Sequence, residues 1–330
     1  MVQSKEKQLK INSFPRVVVI GGGTGSFSVL SGLKKYPLDL TAIISMADNG
    51  GSTGVLREEF GILPPGDIRR ALVALSEAQE SLLSQLFTYR FSQGSLKGHS
   101  CGNLLLTALT EMRGGNFGMA VRDMEKILAV KGKVIPVTLM EANLYAELEN
   151  GEVIAGETSI DIPQHDGHLR ITKAYLQPAC SINPRAQEAL QKADLIVIGP
   201  GDLYTSIIPN LLVKGVPEAI KKNSGTKVYV SNLMTKFGET SGFKGKDFVS
   251  EIEKYLGNNI LDIVIFNNNY PDKERIREYE KEEAQFVSWE PGNFQKSKFK
   301  IQDEDLLRKS GFIRHDPVKI SRVLWRILNS

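Results

Sequence analysis

Eight short stretches of the chain, five of them containing glycine, gather hydroxyl, amide or charged side chains at spacings that suit an anionic ligand. The first is Gly21-Gly22-Gly23-Thr24-Gly25, directly after the β-branched run Arg16–Ile20. Glycine has no Cβ, so backbone N–H groups in such a turn can approach a phosphate. The turn is not a P-loop, because no Gly-Lys-Ser/Thr follows. It is an imperfect dinucleotide fingerprint, because Ser26 stands at the third glycine position. A tight turn without a ligand is the plain alternative.

The second stretch, Asp48-Asn49-Gly50-Gly51-Ser52-Thr53-Gly54, puts an acid at the end of the next apolar run. Asp48 could hold a ribose hydroxyl, or Mg²⁺ carried on a diphosphate. The letters Gly50-x-Ser52-x-Gly54 fit a nucleophile elbow, but Ser52 lies well past the strand end near Ser45, which argues against a hydrolase. The third, Pro64-Pro65-Gly66-Asp67-Ile68-Arg69, gives Asp67 as a helix cap or Asp67 and Arg69 as ligand contacts. The fourth, Gly98-His99-Ser100-Cys101-Gly102-Asn103, opens an apolar helix with polar groups. His99 is a capping or core histidine or a ligand contact. Asn103 is costly to bury without partners, which favours a ligand contact.

The remaining four lie in the second half of the chain. Gly199-Pro200-Gly201-Asp202-Leu203-Tyr204-Thr205 repeats the strand–glycine–helix pattern. Asn232 and Thr235, and Asn267 and Asn268, follow apolar runs. Arg314-His315-Asp316-Pro317 precedes the last helix. There Asp316 and Pro317 read as cap and first helical residue, and Arg314 as a bidentate phosphate donor. The four histidines have no zinc spacing, and His165 and His168 read as exposed.

These residues need a scaffold. Arg16–Ile20, a helix over 26–35 and Thr41–Ser45 form a βαβ unit opening a parallel sheet. A Gly/Pro-rich loop is expected over 48–67, then helical segments over 68–90 and 101–128 and a strand at 134–137. Asn150-Gly151 between short alternating runs signals a hairpin. An antiparallel, β-rich insertion is therefore expected over about 143–176. Strands resume at 194–198, 227–230 and 262–266. The charged stretch 272–283 reads as a solvated helix. The expected architecture is a doubly wound, Rossmann-like α/β domain over 15–330 behind a polar tail, 1–14.

The composition agrees. The chain has 330 residues, 41% hydrophobic and 24% charged, with net charge +3. Disorder of the main body, coiled coils and a membrane span are excluded. The polar N-terminus lacks a signal core, so a cytoplasmic location is expected. Cys101 and Cys180 read as reduced thiols. No dense basic stripe speaks for nucleic acid.

Taken together and in order, these motifs resemble the 2-phospho-L-lactate transferase (CofD-like) superfamily, and within it the gluconeogenesis factor (YvcK) branch, over about 15–330. The resemblance implies a Rossmann-like fold and binding of UDP-N-acetylglucosamine or a related nucleotide diphosphate. It also implies links to gluconeogenic growth, cell shape and peptidoglycan synthesis. Protein partners in cell-wall regulation and a homo-oligomer are expected. The transferase branch instead moves phospholactate from a guanosine diphosphate-linked donor onto a deazaflavin with Mg²⁺. By motif, Tyr279 and Arg314 are the C-terminal candidates for UDP-sugar contact. Asn49 stands where the family often has a second Asp, which weakens a two-carboxylate metal site. Asp202 stands where Ser is usual, and beside a pyrophosphate it calls for a cation between them.

Three readings follow. The first is a regulatory nucleotide-sugar binder with no required cofactor. The second is a transferase using Mg²⁺ at Asp48, and Asp67 with it. The third is a nicotinamide oxidoreductase, disfavoured by Ser26.

Overall fold

The computed structural model describes residues 14–77 and 81–330, so the expected tail lies outside the described residues apart from Phe14. In chain order the elements are β1 (Arg16–Gly21), α1 (Gly23–Leu33), β2 (Asp39–Ile44), α2 (Gly51–Phe60), α3 (Gly66–Leu75), α4 (Leu82–Thr88), α5 (Cys101–Met112), α6 (Phe117–Ile127) and β3 (Lys133–Pro136). An insertion follows: β4 (Asn143–Leu148), β5 (Val153–Ala155), α7 (Glu157–Asp161) and β6 (Ile171–Gln177). The chain continues with α8 (Pro184–Lys192), β7 (Leu195–Ile198), a π-helical turn (Leu203–Ile207), α9 (Ile208–Leu211), α10 (Val216–Lys222), β8 (Thr226–Val230), α11 (Gly245–Leu256), β9 (Ile263–Asn267), α12 (Lys273–Glu280), β10 (Lys300–Glu304) and α13 (Pro317–Leu328).

Seven strands form one sheet in the order β10-β9-β8-β7-β1-β2-β3. Every pairing in it is parallel. From β1 the chain winds outward to β3, then returns to β7 on the other side of β1. The boundary between β1 and β7 is therefore a topological switch point, where open α/β sheets leave a crevice. Helices cover both faces, so the central strands are apolar throughout. Val17, Val18, Val19 and Ile20 are at most 2% exposed, and burial is worth about 1.5–3 kcal/mol for each large side chain.

The insertion is a three-stranded antiparallel sheet, β5-β4-β6. Its hairpin turns where the Asn-Gly pair indicates, and Gly151 has φ +85°. Alternation puts Leu144, Ala146 and Leu148 inward, into one core cluster with the main sheet.

Four expectations need correction. The loop expected over 48–67 contains α2. Its glycines punctuate the helix rather than dissolve it: Gly50 and Gly51 start it, and Gly61 ends it at φ +61° with its N–H donating to Arg57 O. Between them Val55–Phe60 holds ordinary helix formers. The helical run over 68–90 breaks at Ser76, and that over 101–128 breaks at Gly114 and Gly115, both at positive φ. Asp67 is not the cap of α3. Pro65 is, and Asp67 lies in the first turn. The edge strand β10, Lys-Ile-Gln-Asp-Glu, is absent from the reading above because charged edge strands carry little apolar pattern.

Candidate functional site

The loops after β1 and β7 meet at the switch point. A Cβ on Gly25 would collide with Pro200 O and lie 2.8 Å from Gly201 N, and one on Gly201 would lie 3.5 Å from Gly22 O. The two glycine turns therefore pack backbone to backbone. Asn210, absent from the sequence reading and fully buried, stitches them by donating to Gly21 O and Ser206 O. Asn232 donates to Gly201 O at 2.8 Å. Thr24 stands exposed at the rim of the first turn, and Gly23 has φ +59°.

The first turn already carries an anion. A Cβ on Gly22 would overlap Asp67 Oδ2, and the neighbouring Gly23 N–H favours the ionised carboxylate. Burial, with Asp48 nearby, pushes Asp67 up to about 6. Asp48 accepts from Gly50 N at 2.9 Å, and its Oδ2 lies 2.6 Å from where a Cβ of Gly66 would be.

Two more acids, Glu157 and Asp161, come from the insertion, and sequence reasoning missed both. Asn49 is the link: its Oδ1 accepts from Thr158 N at 2.9 Å and Thr158 Oγ1 at 3.0 Å, docking α7. Burial and then Asp48 push Glu157 up to about 8. Asp161, Asp202 and Glu239 bring carboxylate oxygens within 4.8 Å of one another. Lys236 bonds Asp161, reaches Asp202 at 3.1 Å and lies 3.3 Å from Glu239. Burial alone would lower the lysine, but the three carboxylates outweigh it and raise it. The cation that Asp202 calls for is thus an ammonium.

A second set of groups lies at the starts of α2, α3 and α5. Arg69 Nε donates to Asn103 Oδ1 at 3.0 Å, and Asn103 Nδ2 donates to Ser52 Oγ at 3.2 Å. Ser52 Oγ is 3.0 Å from His99 Nδ1. Ser100 caps α5 by accepting from Asn103 N. Arg69 is 8% exposed and Asn103 2%. Burial, then Arg70 and Arg90, bring Arg69 down to about 10. Gly51, at φ +43°, has open space where a Cβ would be, so the first turn of α2 is accessible.

Other expected residues are spent inside the fold. Tyr204 is fully buried, its hydroxyl donating to Ile171 O and its N–H to Glu239. Thr205 donates to Glu239 at 3.0 Å. Thr235 Oγ1 accepts from Gln285 N. Asn267 accepts from Leu306 N and donates to Asn269 O, tying β9 to the chain after β10. Gly199 bonds Ile20 O. Asn268 is exposed beyond the strand end. Tyr279 and Arg314 lie together: Tyr279 OH donates to Ile313 O at 3.4 Å, and exposed Arg314 stacks 4.9 Å over Phe312. Of the histidines read as exposed, His168 is, whereas His165 is half-buried. A surface cleft of about 540 Å³, lined by residues of 272–275 and 309–311, contains none of these groups.

Comparison with known proteins places this arrangement. The family model described as 2-phospho-L-lactate transferase CofD matches residues 17–307. The gluconeogenesis factor of Bacillus subtilis is 41% identical over 95% of this chain and 98% of its own length. That of Halalkalibacterium halodurans is 42% identical over 93% and 95%. A crystal structure of a Bacillus halodurans protein superposes with TM-score 0.90 at 40% identity, covering 95% of this chain and all of that one. The likeness spans the sheet and both glycine turns, and by it the chain belongs to the 2-phospho-L-lactate transferase CofD family, among its gluconeogenesis-factor members.

Proposed function

We propose that the chain is a cytoplasmic regulatory protein that binds a UDP-sugar, UDP-N-acetylglucosamine, outside the carboxyl ends of β1, β2, β7 and β8. Carbon metabolism, cell shape and peptidoglycan synthesis are the processes it serves, through protein partners and as a homo-oligomer. The observation that carries this reading is the two-sided character of the groups gathered beside the switch point. Asp48, Asp67 and Glu157 offer acceptors, and Ser52, Arg69, His99 and Asn103 adjoin them with donors. A nucleotide sugar carries both complements, hydroxyls that donate and a diphosphate that accepts. The relatives named gluconeogenesis factor support the regulatory side of the reading.

One observation favours a second reading, the Mg²⁺-dependent transferase. Asp48 and Asp67 flank Gly66 and Gly22 with hard oxygen donors, the ligand type Mg²⁺ takes. When bound there, Mg²⁺ would neutralise a diphosphate. The chain's own part is to hold Asp48 in its turn with Gly50 and Asp67 against Gly22.

Isothermal titration calorimetry with UDP-N-acetylglucosamine, UDP-glucose and GDP, each with and without Mg²⁺, separates the two. Micromolar UDP-sugar binding without turnover is expected. Silence with UDP-sugars but Mg²⁺-dependent GDP binding would transfer the assignment to the enzyme.

A further inference from the structure

We infer that the ligand's anionic group is held by Arg69, Ser52 and His99 over the first turns of α2 and α5, with Asn103 positioning them, and not on the first glycine turn. The inference deepens the nucleotide-diphosphate reading and rests on it for the rest of the ligand. The glycine turn is the place a dinucleotide fold would suggest. Here the Asp67 carboxylate occupies the space beside Gly22 and faces Gly23 N–H. Asp48 and Asp202 add charge of the same sign, which Arg70, 3.7 Å from Asp67, offsets in part. A phosphate placed there would meet a carboxylate at contact distance, a repulsion that persists at protein-surface dielectric.

The charge balance on the other side is reversed. Arg69 is 8% exposed, and its described hydrogen-bond partner is the neutral Asn103. Among the described residues, no carboxylate lies within ion-pair distance of it. A buried guanidinium without a contacting counter-charge is costly; Arg70 and Arg90 act in the same unfavourable sense, and Asp67 and Asp48 offset them only in part and from beyond contact. An oxyanion in contact would relieve the burial and both repulsions.

The hydrogen-bond directions point the same way. Arg69 Nε can only donate, so the Asn103 atom facing it is the carbonyl oxygen. The other end of that amide, Nδ2, must then donate to Ser52 Oγ. Where Ser52 in turn donates its own proton to His99 Nδ1, 3.0 Å away, the neutral imidazole carries its proton on Nε2. The remaining groups here are Arg69's Nη donors, that N–H and the opening amides of α2. Thr53 N bonds Gly50 O, so those of Gly51 and Ser52 precede the helix's own bonds. Donors without acceptors select a phosphate or carboxylate group.

The probe is inorganic pyrophosphate in magnesium-free buffer, titrated by calorimetry into the wild type, Arg69→Met, His99→Ala and Asp67→Asn, with circular dichroism on each. UDP-N-acetylglucosamine is titrated in parallel. The wild type should bind pyrophosphate. Arg69→Met and His99→Ala should each weaken it at least tenfold, and Asp67→Asn should strengthen it severalfold. Absence of wild-type binding would overturn the inference, as would full affinity in folded His99→Ala. If Arg69→Met fails to fold, His99→Ala and Asp67→Asn still decide. Pyrophosphate binding with that pattern but no response to the UDP-sugar would leave the subsite standing and remove the UDP-sugar reading alone.

Discussion

Gly25 and Glu157 mark the extremes of what could be read residue by residue. The glycine cluster after the first strand is visible at once, but its reason is not. Gly25 is small because Pro200 and Gly201, distant in sequence, lie against it. Gly25→Ala should cost about 1–3 kcal/mol, since backbone on both sides leaves nothing flexible to yield. Urea unfolding measures it, and an unchanged midpoint would show that the turns can separate freely. Glu157 gave no signal, because only the fold brings the insertion over Asp48. Its folded value of about 8 lies above the ordinary carboxylate value. The folded chain therefore holds a proton that the unfolded chain releases. The resulting penalty is full above pH 8 and is relieved as pH falls through 8 toward 4.5. Glu157→Gln should stabilise by about 2 kcal/mol at pH 8.5, after allowance for partial solvent screening, and by severalfold less at pH 5. A gain that does not depend on pH would refute the charge argument.

Among the elements, those with long or strictly periodic patterns were legible: the central strands, the Asn150-Gly151 hairpin and the capped final helix. Those that failed did so for local reasons. α2 hides behind glycines at its ends, β10 is charged, and α7 is too short for a period. Yet α7 is the element that completes the acidic side, and it hangs on Asn49. The family-level expectation treats Asn49 as a weakened metal ligand, whereas its Oδ1 is fully used by Thr158. Asn49→Ala removes two hydrogen bonds worth about 0.5–1.5 kcal/mol each. Hydrogen exchange should quicken in α7 and leave the amides of β1 and β7 protected. Uniform acceleration across the sheet would mean that Asn49 supports the whole core instead.

For the molecule as a whole, the parallel winding placed the crevice, and the motifs' strand-end positions could be read from it. What stayed hidden is long-range: Asn210 joining two loops, and Lys236 joining the insertion to the sheet. Tyr204 and Asn267 looked like ligand residues because polar groups at strand ends usually are. Here backbone groups from other elements claim them.

The lysine at that joint has a further consequence. Where three carboxylates crowd together, many proteins recruit a divalent ion from their surroundings. This chain brings its own counter-ion, covalently attached. The joint between insertion and sheet is therefore held by a positive charge that belongs to the chain itself. Its vulnerability is chemical: any acyl group placed on that one amine would strip its charge and set the carboxylates against each other.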